Sequence, residues 1–362
     1  MTLESKPKLS LVVCTLNEVE AIAGLIREVS VALSPLDYEL IVVDDGSTDG
    51  TAVAVRECSD PRVQLIERQG VRGLASAAVA GWDAARGELL ALMDGDGQHD
   101  PRLLPELVAA LQAESTDIAI GVRDLSADQA LSRRRVWLSR AGVRLAGAAL
   151  GASLTDPLSG YFVMRRAFYQ RVQPHLSGVG FKILVDLIAS ARPRPVIVER
   201  TTALRPRLGG KSKLDLRVVA DLIALLIEKR LGGWLPARFI LFTGVGLSGV
   251  VVNVAALILL HSLGGASPAP SILSAIFLAM CWNFWLNNLL TFRDQRLRGA
   301  YLIRGFLAFV ASCAIGALAN FLLAEALRRL GWPLALAGGV GALTAGVFNF
   351  WAVRRVTWRI RS

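Results

Sequence analysis

The first half of the chain alternates between two patterns of hydrophobic and polar positions. Short, continuous apolar runs are typical of strands buried on both faces of a parallel sheet, and longer stretches have apolar residues at helical spacing. The apolar runs lie in KLSLVVCTLNE, YELIVVDDGSTDG, RVQLIER and ELLALMD, and the helical stretches are residues 20–33, 51–58 and 75–86. Strands that alternate with helices predict an α/β fold, Rossmann-like, with a mostly parallel sheet.

The last third of the chain has a different pattern. Four runs of at least 20 residues carry no charged side chain, which is the length that a helix needs to cross the hydrocarbon core of a bilayer. The runs are residues 239–260, 272–292, 305–324 and 332–353. They predict an all-α transmembrane domain of four helices, and hence an integral membrane protein.

The segment that joins the two parts is amphipathic. Residues 212–232, SKLDLRVVADLIALLIEKRLG, have apolar residues at helical spacing with charges between them. This pattern is typical of helices that lie along a membrane surface, although a helix that packs against a domain would have it too. We therefore predict an α/β domain at residues 1–211, amphipathic helices at the membrane interface at 212–234 and a transmembrane domain at 235–362.

The distribution of charge predicts how the chain is oriented. Of the net charge of +10, +9 belongs to the residues from 231 onward, so the basic excess accompanies the apolar runs and does not indicate a nucleic-acid partner. The link between the second and third runs and the C-terminal tail each carry four arginines, whereas the link between the first and second runs has no Lys or Arg. By the positive-inside rule, both termini and the α/β domain are expected in the cytoplasm, at the cytoplasmic membrane. No signal peptide is recognised before the first strand.

Polar side chains follow three of the predicted strands at the point where each strand ends. They are Asn17, Glu18, Asp44, Asp45, Asp94 and Asp96. Because ligands of open α/β sheets bind outside the carboxyl ends of the strands, we expect these side chains to face one crevice. Asp94 and Asp96 alone would be an ordinary acidic turn. Together with the other acids they suit Mg²⁺ or Mn²⁺ shared with substrate phosphates. No Gly-rich dinucleotide fingerprint follows the first strand, and no complete Gly-x-x-x-x-Gly-Lys-Ser/Thr phosphate-binding loop occurs.

The motifs together resemble those of a known family. VVCTLNE, VVDDGSTDGT and MDGDGQHDP, followed by GVRD, RRRVWLSR, DPLSGYFVMRR and RPRLGGKSKL, resemble the family-2 glycosyltransferases with a GT-A fold. The closer resemblance is to the polyprenyl-phosphate sugar transferases, typified by dolichol-phosphate mannose synthase, and it covers residues 9–214. The last third resembles the GtrA-like four-span domain that accompanies such transferases.

The resemblance implies roles for individual residues. The residues implied in donor nucleotide binding are Thr15, Asn17, Glu18, Asp44, Asp45, Asp94, Arg207 and Lys213. Those implied in metal binding are Asp94, Asp96 and Gln98, and those implied in binding the acceptor phosphate are Arg123, Arg135 and Ser139. Asp94, Asp96, Arg123 and Arg135 form the implied catalytic set. Cys14-Thr15-Leu16 departs from the family's usual residues before Asn17 and Glu18, at the position of the base and ribose contacts.

The implied reaction is inverting, metal-dependent transfer of a hexose to a polyprenyl or dolichyl phosphate. Mannose from GDP-mannose is the expected donor sugar, and UDP-glucose or another UDP-sugar is the alternative. A lipid-linked-sugar flippase activity of the membrane domain also stays open. A processive polysaccharide synthase is disfavoured, because the nearest match to Gln-x-x-Arg-Trp begins at Gln295 and ends in glycine. A transporter that only senses nucleotide sugar is disfavoured by the complete metal and phosphate motifs.

The membrane part also contains an internal repeat. Residues of the first two runs recur 66 or 67 positions later, for example Phe239 as Phe306 and Asn283 as Asn349. Two tandem hairpins related by a pseudo-twofold axis along the membrane normal are therefore predicted. Asn253, Asn283, Asn320 and Asn349 are expected to face protein or a cavity, where hydrogen bonds between helices are favoured over a path for a lipid-linked sugar. Two hypotheses for Asp186 stay open: an acid on the acceptor side, or a polar turn of a helix. For His99 and His175 we expect structural roles.

Overall fold

The computed structural model describes residues 6–69, 73–112, 115–123, 154–177, 183–202, 205, 216–265 and 267–358. The chain divides into two compact units, Met1–Trp234 and Leu235–Ser362. The first unit contains the α/β fold and the second contains the apolar helices, and each is considered by itself below.

The first unit alternates strands and helices as its hydrophobic pattern predicts. Its described strands are β1 (Leu9–Thr15), β2 (Tyr38–Asp44), β3 (Val63–Glu67), β4 (Leu89–Asp94), β5 (Ile118–Arg123), β6 (Phe162–Arg165) and β7 (Ile197–Thr202). Its described helices are α1 (Val19–Ala32), α2 (Thr51–Arg56), α3 (Leu74–Ala84), α4 (Leu104–Ala110), α5 (Arg166–Val172), α6 (Ile183–Ser190) and α7 (Leu216–Arg230). Helix α7 falls in the segment that was predicted to lie at the membrane interface.

Within the described residues these strands form one sheet in the order β3-β2-β1-β4-β6-β5-β7. All pairs are parallel except those of β6, which runs antiparallel to both β4 and β5. The predicted mostly parallel α/β fold is thus confirmed. The register aligns Thr15 with Asp44 and Cys14 with Asp94, so the carboxyl ends of β2, β1 and β4 meet at one edge of the sheet.

Helices cover both faces of the sheet, and each face has its own apolar core. Val12 belongs to the core under α3, whereas its neighbours Leu11 and Val13 belong to the core under α1 and α4. Trp82 of α3 is fully buried, and its indole Nε1 donates to the carbonyl of Ala91 at 3.1 Å. Because each fully buried large apolar side chain contributes about 1.5–3 kcal/mol, two such cores hold the strand ends rigidly.

The second unit consists, in its described part, of four long helices. They are α8 (Ala237–Leu257), α9 (Pro268–Leu286), α10 (Ala300–Arg329) and α11 (Leu334–Val356), and α8 and α9 each continue into a short π-helical turn. Among the described residues, each of these four helices includes a stretch that is long and apolar enough to cross a membrane. Large apolar side chains such as Leu247, Val251 and Leu343 are exposed on them, as expected for surfaces that contact lipid.

Aromatic side chains form the core of this unit, and residues at equivalent positions of the two hairpins make equivalent contacts. Phe239 and Phe242 pack edge-on against Phe350, with ring centroids 5.3 and 5.6 Å apart. Phe306 and Phe309, 67 residues later, pack against Phe284 at 5.3 and 5.7 Å. A further equivalent pair, Phe292 and Trp358, stacks face to face with centroids 4.2 Å apart and planes inclined by 14°.

Asparagines of this unit rest on glycines of the neighbouring helix. A Cβ atom at Gly249 would lie 2.2 Å from Asn283 Oδ1, and one at Gly316 would lie 1.9 Å from Asn349 Oδ1. Both oxygens are buried and have no hydrogen-bond partner among the described residues. From the sequence, hydrogen bonds between helices were favoured for these asparagines. These two oxygens make no such bond within the described part of the chain and lie against the glycine residues instead. Both asparagines also line a cavity of about 280 Å³ between the helices, as expected of amides that avoid lipid.

Candidate active site

The carboxylate of Asp44 organises the loop after β2. Thr15 Oγ1 donates to Asp44 Oδ1 at 2.9 Å, and the backbone N–H of Ser47 donates to Asp44 Oδ2 at 2.8 Å. Ser47 Oγ also donates to this carboxylate and in turn accepts from the backbone N–H of Asn17. Asp44 therefore joins the ends of β1 and β2 into one rigid rim.

The neighbouring carboxylate of Asp45 is held by a residue that the sequence analysis did not single out. Arg68 Nη1 donates to Asp45 Oδ1 at 2.7 Å, and the backbone N–H of Gly73 donates to Asp45 Oδ2 at the same distance. Arg68 also donates to Ser76 Oγ of α3 at 2.9 Å. No sequence motif identified Arg68, because its partner lies 23 positions earlier and the pairing depends on β2 lying beside β3.

Asn17 and Glu18 form the turn from β1 into α1. Asn17 has a positive φ of 60°, and its Oδ1 accepts from the backbone N–H of Thr48 at 3.0 Å. The backbone N–H of Glu18 donates to Thr51 Oγ1 at 2.9 Å. Asp49 accepts from the backbone N–H groups of Val19 and Thr51. Asp49 therefore binds the first backbone N–H of α1 and of α2, while the N-cap residue of α2 is Gly50.

Asp94 and Asp96 follow β4 at the same edge of the sheet. The Asp94 side chain is 37% exposed, whereas Asp96 is buried and its Oδ1 accepts from the backbone N–H of Gln98 at 3.1 Å. Gly160 lies against Asp94, because a Cβ atom there would be 2.7 Å from Asp94 Oδ2. His99 Nε2 lies 3.5 Å from the same oxygen, and the His99 ring packs on Tyr161. Asp94 is thus accessible on one side and closely supported on the other.

These residues fit a hard divalent cation. Within the described part of the chain, no three His, Cys, Asp or Glu side chains lie together in a way that could hold a metal ion. Asp94 and Asp96 offer carboxylate oxygens, Gln98 offers an amide oxygen, and the absence of a side chain at Gly160 lets the Asp94 carboxylate pack against that residue. Mg²⁺ and Mn²⁺ accept such oxygen ligands, and Mg²⁺ typically takes only one or two protein carboxylates and completes its shell with water and substrate phosphates.

The remaining predicted site residues are placed only in part. Arg123 is the last residue of β5 and pairs in register with Thr202 of β7, but its side chain is outside the described part, as are Arg135, Ser139, Arg207 and Lys213. Asp186 is buried in α6, where it accepts from the backbone N–H of Ser177 and pairs with Lys229 of α7 at 2.8 Å. These contacts favour the interpretation of Asp186 as a polar residue with a structural role in its helix over its interpretation as an acid on the acceptor side.

Comparison with known proteins identifies the family. The chain matches the models of two families, Glycosyl transferase family 2 at residues 10–173 and GtrA/DPMS, transmembrane domain, at residues 241–358. It is 32% identical over 359 residues to a dolichol-phosphate mannosyltransferase of Pyrococcus furiosus, a match that covers 97% of this chain and 99% of that protein. It is also 32% identical over 257 residues to a dodecaprenyl-phosphate galacturonate synthase of Rhizobium johnstonii, covering 68% of this chain and 74% of that protein.

A solved structure supports the fold. Glucosyl-3-phosphoglycerate synthase from Mycobacterium tuberculosis, in complex with Mn²⁺, UDP-glucose and phosphoglyceric acid, is 21% identical, with a TM-score of 0.51 over 62% of this chain and 79% of that chain. The chain therefore belongs to the family-2 glycosyltransferases of the dolichol-phosphate mannosyltransferase type, joined to a GtrA/DPMS transmembrane domain. It is a glycosyltransferase and an integral membrane protein. The family resemblance and the GT-A fold predicted from the sequence are confirmed.

Proposed function

We propose that this enzyme transfers mannose from GDP-mannose to a polyprenyl or dolichyl phosphate and inverts the anomeric carbon. The observation that carries the proposal is the meeting of Asp44, Asp45 and Asp94 at one sheet edge, in a chain that resembles a dolichol-phosphate mannosyltransferase over almost its whole length. The second candidate donor is a UDP-sugar, the alternative expected from the sequence, since a relative with the same identity over a shorter stretch is named for a sugar other than mannose, galacturonate.

The donor would bind along this edge. Thr15, Asn17, Glu18, Asp44 and Asp45 would contact the nucleoside, and Asp94, Asp96 and Gln98 would hold Mg²⁺ or Mn²⁺ beside the diphosphate. When bound, the ion supplies positive charge that stabilises the leaving nucleoside diphosphate. Arg207 and Lys213 are proposed to contact the donor phosphates as well, because guanidinium and ammonium groups both bind phosphate well.

The acceptor brings its own nucleophile. Its phosphate is already ionised at neutral pH, so it attacks the anomeric carbon without a general base on the protein. Arg123, Arg135 and Ser139 are proposed to orient this phosphate, and orientation of two bound reactants can itself supply much of the rate enhancement. One displacement inverts the centre, so an α-linked donor yields a β-linked lipid product.

The arginine-rich link between the second and third runs and the arginine-rich C-terminal tail support a cytoplasmic location for the active site, at the cytoplasmic membrane. Helix α7 would then lie at the membrane interface, where a polyprenyl phosphate presents its headgroup. Exposed apolar residues of the helix and of the turn after it support this: Ile223, Ile227 and Leu231 recur at intervals of four, and Trp234 is exposed three residues further on.

The reaction can be tested directly with the full chain in detergent and a polyprenyl phosphate. Labelled GDP-mannose and labelled UDP-glucose are supplied in parallel with Mg²⁺ or Mn²⁺, and label is counted in the organic phase. We expect label from GDP-mannose only, its loss on chelation, and a β-linked product by NMR. Label from the UDP-sugar alone would replace the proposed donor, and label from neither would overturn the proposed reaction.

A matched pair of variants tests the site itself. Asp96→Asn removes a charge from the proposed metal ligands and should lower transfer on the order of 10²-fold, as loss of one preorganised electrostatic contact does elsewhere. Asp37→Asn makes the same chemical change at an exposed position before β2 and should leave transfer unchanged. Equal activity of the two variants would contradict the assignment of Asp96.

A further inference from the structure

Arg205 contacts the loop that carries the proposed metal ligands. Its backbone N–H donates to the carbonyl of Gln98 at 2.9 Å. In return Gln98 Nε2 donates to the carbonyl of Arg205 at 3.4 Å. The two residues are 107 positions apart in the chain and are joined by a reciprocal pair of hydrogen bonds.

The guanidinium of Arg205 fixes the same loop a second time. Arg205 Nη2 lies 2.9 Å from Asp100 Oδ1, and Nη1 pairs with Glu28 Oε2 of α1. The backbone carbonyl of Asp100 accepts from Tyr161 Oη at 2.9 Å. One side chain therefore ties the loop after β4 to α1, two residues from Gln98.

These contacts determine which atom of the Gln98 amide is available to a ligand. A carbonyl can only accept, so the Gln98 atom next to the Arg205 carbonyl must be the nitrogen. Oε1 is then left as the donor atom for a cation. The backbone N–H of Gln98 donates to Asp96 Oδ1 at 3.1 Å, so the same residue also orients one of the two carboxylates.

We propose that Arg205 is a positioning residue for the metal site: its backbone orients the Gln98 amide with the oxygen free for a divalent cation, and its guanidinium holds that backbone in place. This inference rests on the proposed role of Asp94, Asp96 and Gln98 in metal binding. Arg205 begins the motif RPRLGGKSKL, in which the resemblance implied roles only for Arg207 and Lys213.

The ion pair of Arg205 with Glu28 is too exposed to serve mainly as a stabiliser of the fold, and Asp100 keeps its pair with Arg102 when the Arg205 guanidinium is removed. The side chains of Arg205 and Glu28 are 34% and 50% exposed, and exposed pairs contribute about 0–1 kcal/mol. Loss of the guanidinium should therefore leave the protein folded. Residues that orient metal ligands, in contrast, typically change metal affinity about 10- to 100-fold when they are replaced.

The test compares two arginines that share one partner. Arg205→Gln removes the guanidinium that holds the loop, whereas Arg102→Gln removes a 79% exposed arginine that pairs with the same Asp100 and makes no hydrogen bond to Gln98. Binding of Mn²⁺ to the full-length protein, without any nucleotide sugar, is measured by electron paramagnetic resonance, and thermal midpoints are recorded alongside. We expect Arg205→Gln to weaken Mn²⁺ binding about tenfold, Arg205→Lys to restore part of the loss, and Arg102→Gln to stay within about twofold of wild type.

The outcomes separate this inference from the proposed reaction. Equal Mn²⁺ affinity of wild type and Arg205→Gln overturns the inference while leaving sugar transfer untouched, and equal loss in both arginine variants overturns it as well. If wild type binds Mn²⁺ and Arg205→Gln weakens that binding, the inference stands even where no sugar is transferred. Should Arg205→Gln fail to fold, Glu28→Gln, which loosens the guanidinium from α1, decides by the same measurement.

Discussion

The acids at the sheet edge differ in what holds them, and this difference separates their roles. Asp44 is bonded on both oxygens by Thr15 and Ser47, and Asp45 is bonded by Arg68 and Gly73. The Asp94 side chain is partly exposed, and its carboxylate packs against Gly160. The first two carboxylates are therefore fixed at the rim where the nucleoside is proposed to bind, whereas Asp94 is the carboxylate most accessible from outside.

Replacing Gly160 should disturb Asp94 directly. In Gly160→Ala the new Cβ atom would lie 2.7 Å from Asp94 Oδ2, so either the carboxylate or the backbone of residue 160 must shift. Because a displacement of ~1 Å at a reacting site can cost about 10²-fold in rate, we expect transfer to fall between about 10- and 100-fold. Sugar transfer to the lipid phase measures this effect.

Gly24→Ala is the control for that substitution. Gly24 lies in α1, and nothing stands within 4 Å of the position of its Cβ atom. Alanine should stabilise the helix by up to about 1 kcal/mol and leave transfer unchanged. A Gly160→Ala enzyme that is as active as Gly24→Ala would show that Asp94 does not depend on the space beside it.

Asp100 should make stability depend on pH in the acid range. Hydrogen bonds from the Arg102 guanidinium, helped by the charge of Arg205, lower the pKa of Asp100 to about 2. An unfolded Asp has a pKa of about 4, so this carboxylate contributes stability above pH ~4, and the contribution is lost as the pH falls towards 2. The thermal midpoint of Asp100→Asn should lie below that of wild type at pH 5, and the gap should close by pH ~2. A gap that stays constant over this range would contradict the role given to Asp100.

The site residues that the sequence revealed are those on short local motifs. Acids at the ends of strands are visible from the hydrophobic runs that precede them. Arg68 and Arg205 were not found, because their partners are 23, 105, 107 and 177 positions away and are brought near only by the sheet and α1. Pairing at such separations leaves no local pattern.

At the scale of elements, strands β1 to β4 could be predicted from the sequence, whereas β5, β6 and β7 could not. The runs that became β1, β2, β3 and β4 were recognised with nearly their observed bounds, because each is apolar and continuous. β6 has four residues and is inserted antiparallel between β4 and β5. A strand so short shows no reliable periodicity, and its direction follows from the chain's return across the sheet.

The close approach of helices in the membrane unit should depend on glycine. Gly249→Ala and Gly316→Ala would each drive a methyl group into the carboxamide of Asn283 or Asn349, at 2.2 and 1.9 Å. Such overpacking costs about 1–3 kcal/mol, so we expect both variants to lose thermal stability in detergent by similar amounts.

Two further variants check the cause of that loss. Gly244→Ala lies on the same helix as Gly249 with nothing within 4 Å of its Cβ position, and it should not lower the thermal midpoint. Combining Gly249→Ala with Asn283→Ala should restore part of the stability, since the clash needs both side chains. If the stability losses of the two single variants simply add in the double variant, the clash between these two side chains is not the cause of the loss.

At the scale of the whole molecule, the arginine distribution makes a prediction about topology. A fluorescent protein fused to the C-terminus should fluoresce, and alkaline phosphatase fused there should be inactive, because both ends are expected in the cytoplasm. Phosphatase inserted between the first two spans should be active. The reverse pattern would move the active site to the opposite side of the membrane.

The division of the chain into two units was visible in the sequence because water and lipid impose opposite patterns. The alternating pattern extends through the first unit, and uncharged runs occupy the second. What the sequence could not supply is the packing inside the second unit, since runs that are apolar on every side do not indicate which face meets protein. Only the spacing of the repeat pointed to equivalent contacts.

The crossed aromatic contacts of the membrane unit bear on its ancestry. Phe350 of the second hairpin packs against Phe239 and Phe242 of the first, and Phe284 of the first packs against Phe306 and Phe309 of the second. Each hairpin thus contributes a phenylalanine that packs against two phenylalanines of the other hairpin, as two copies of one short peptide would in a homodimer. After duplication and fusion of the gene, the two copies would have been free to change independently in sequence. Phe292 and Trp358, which stack on each other, occupy equivalent positions of the two hairpins and are one position at which the copies now differ.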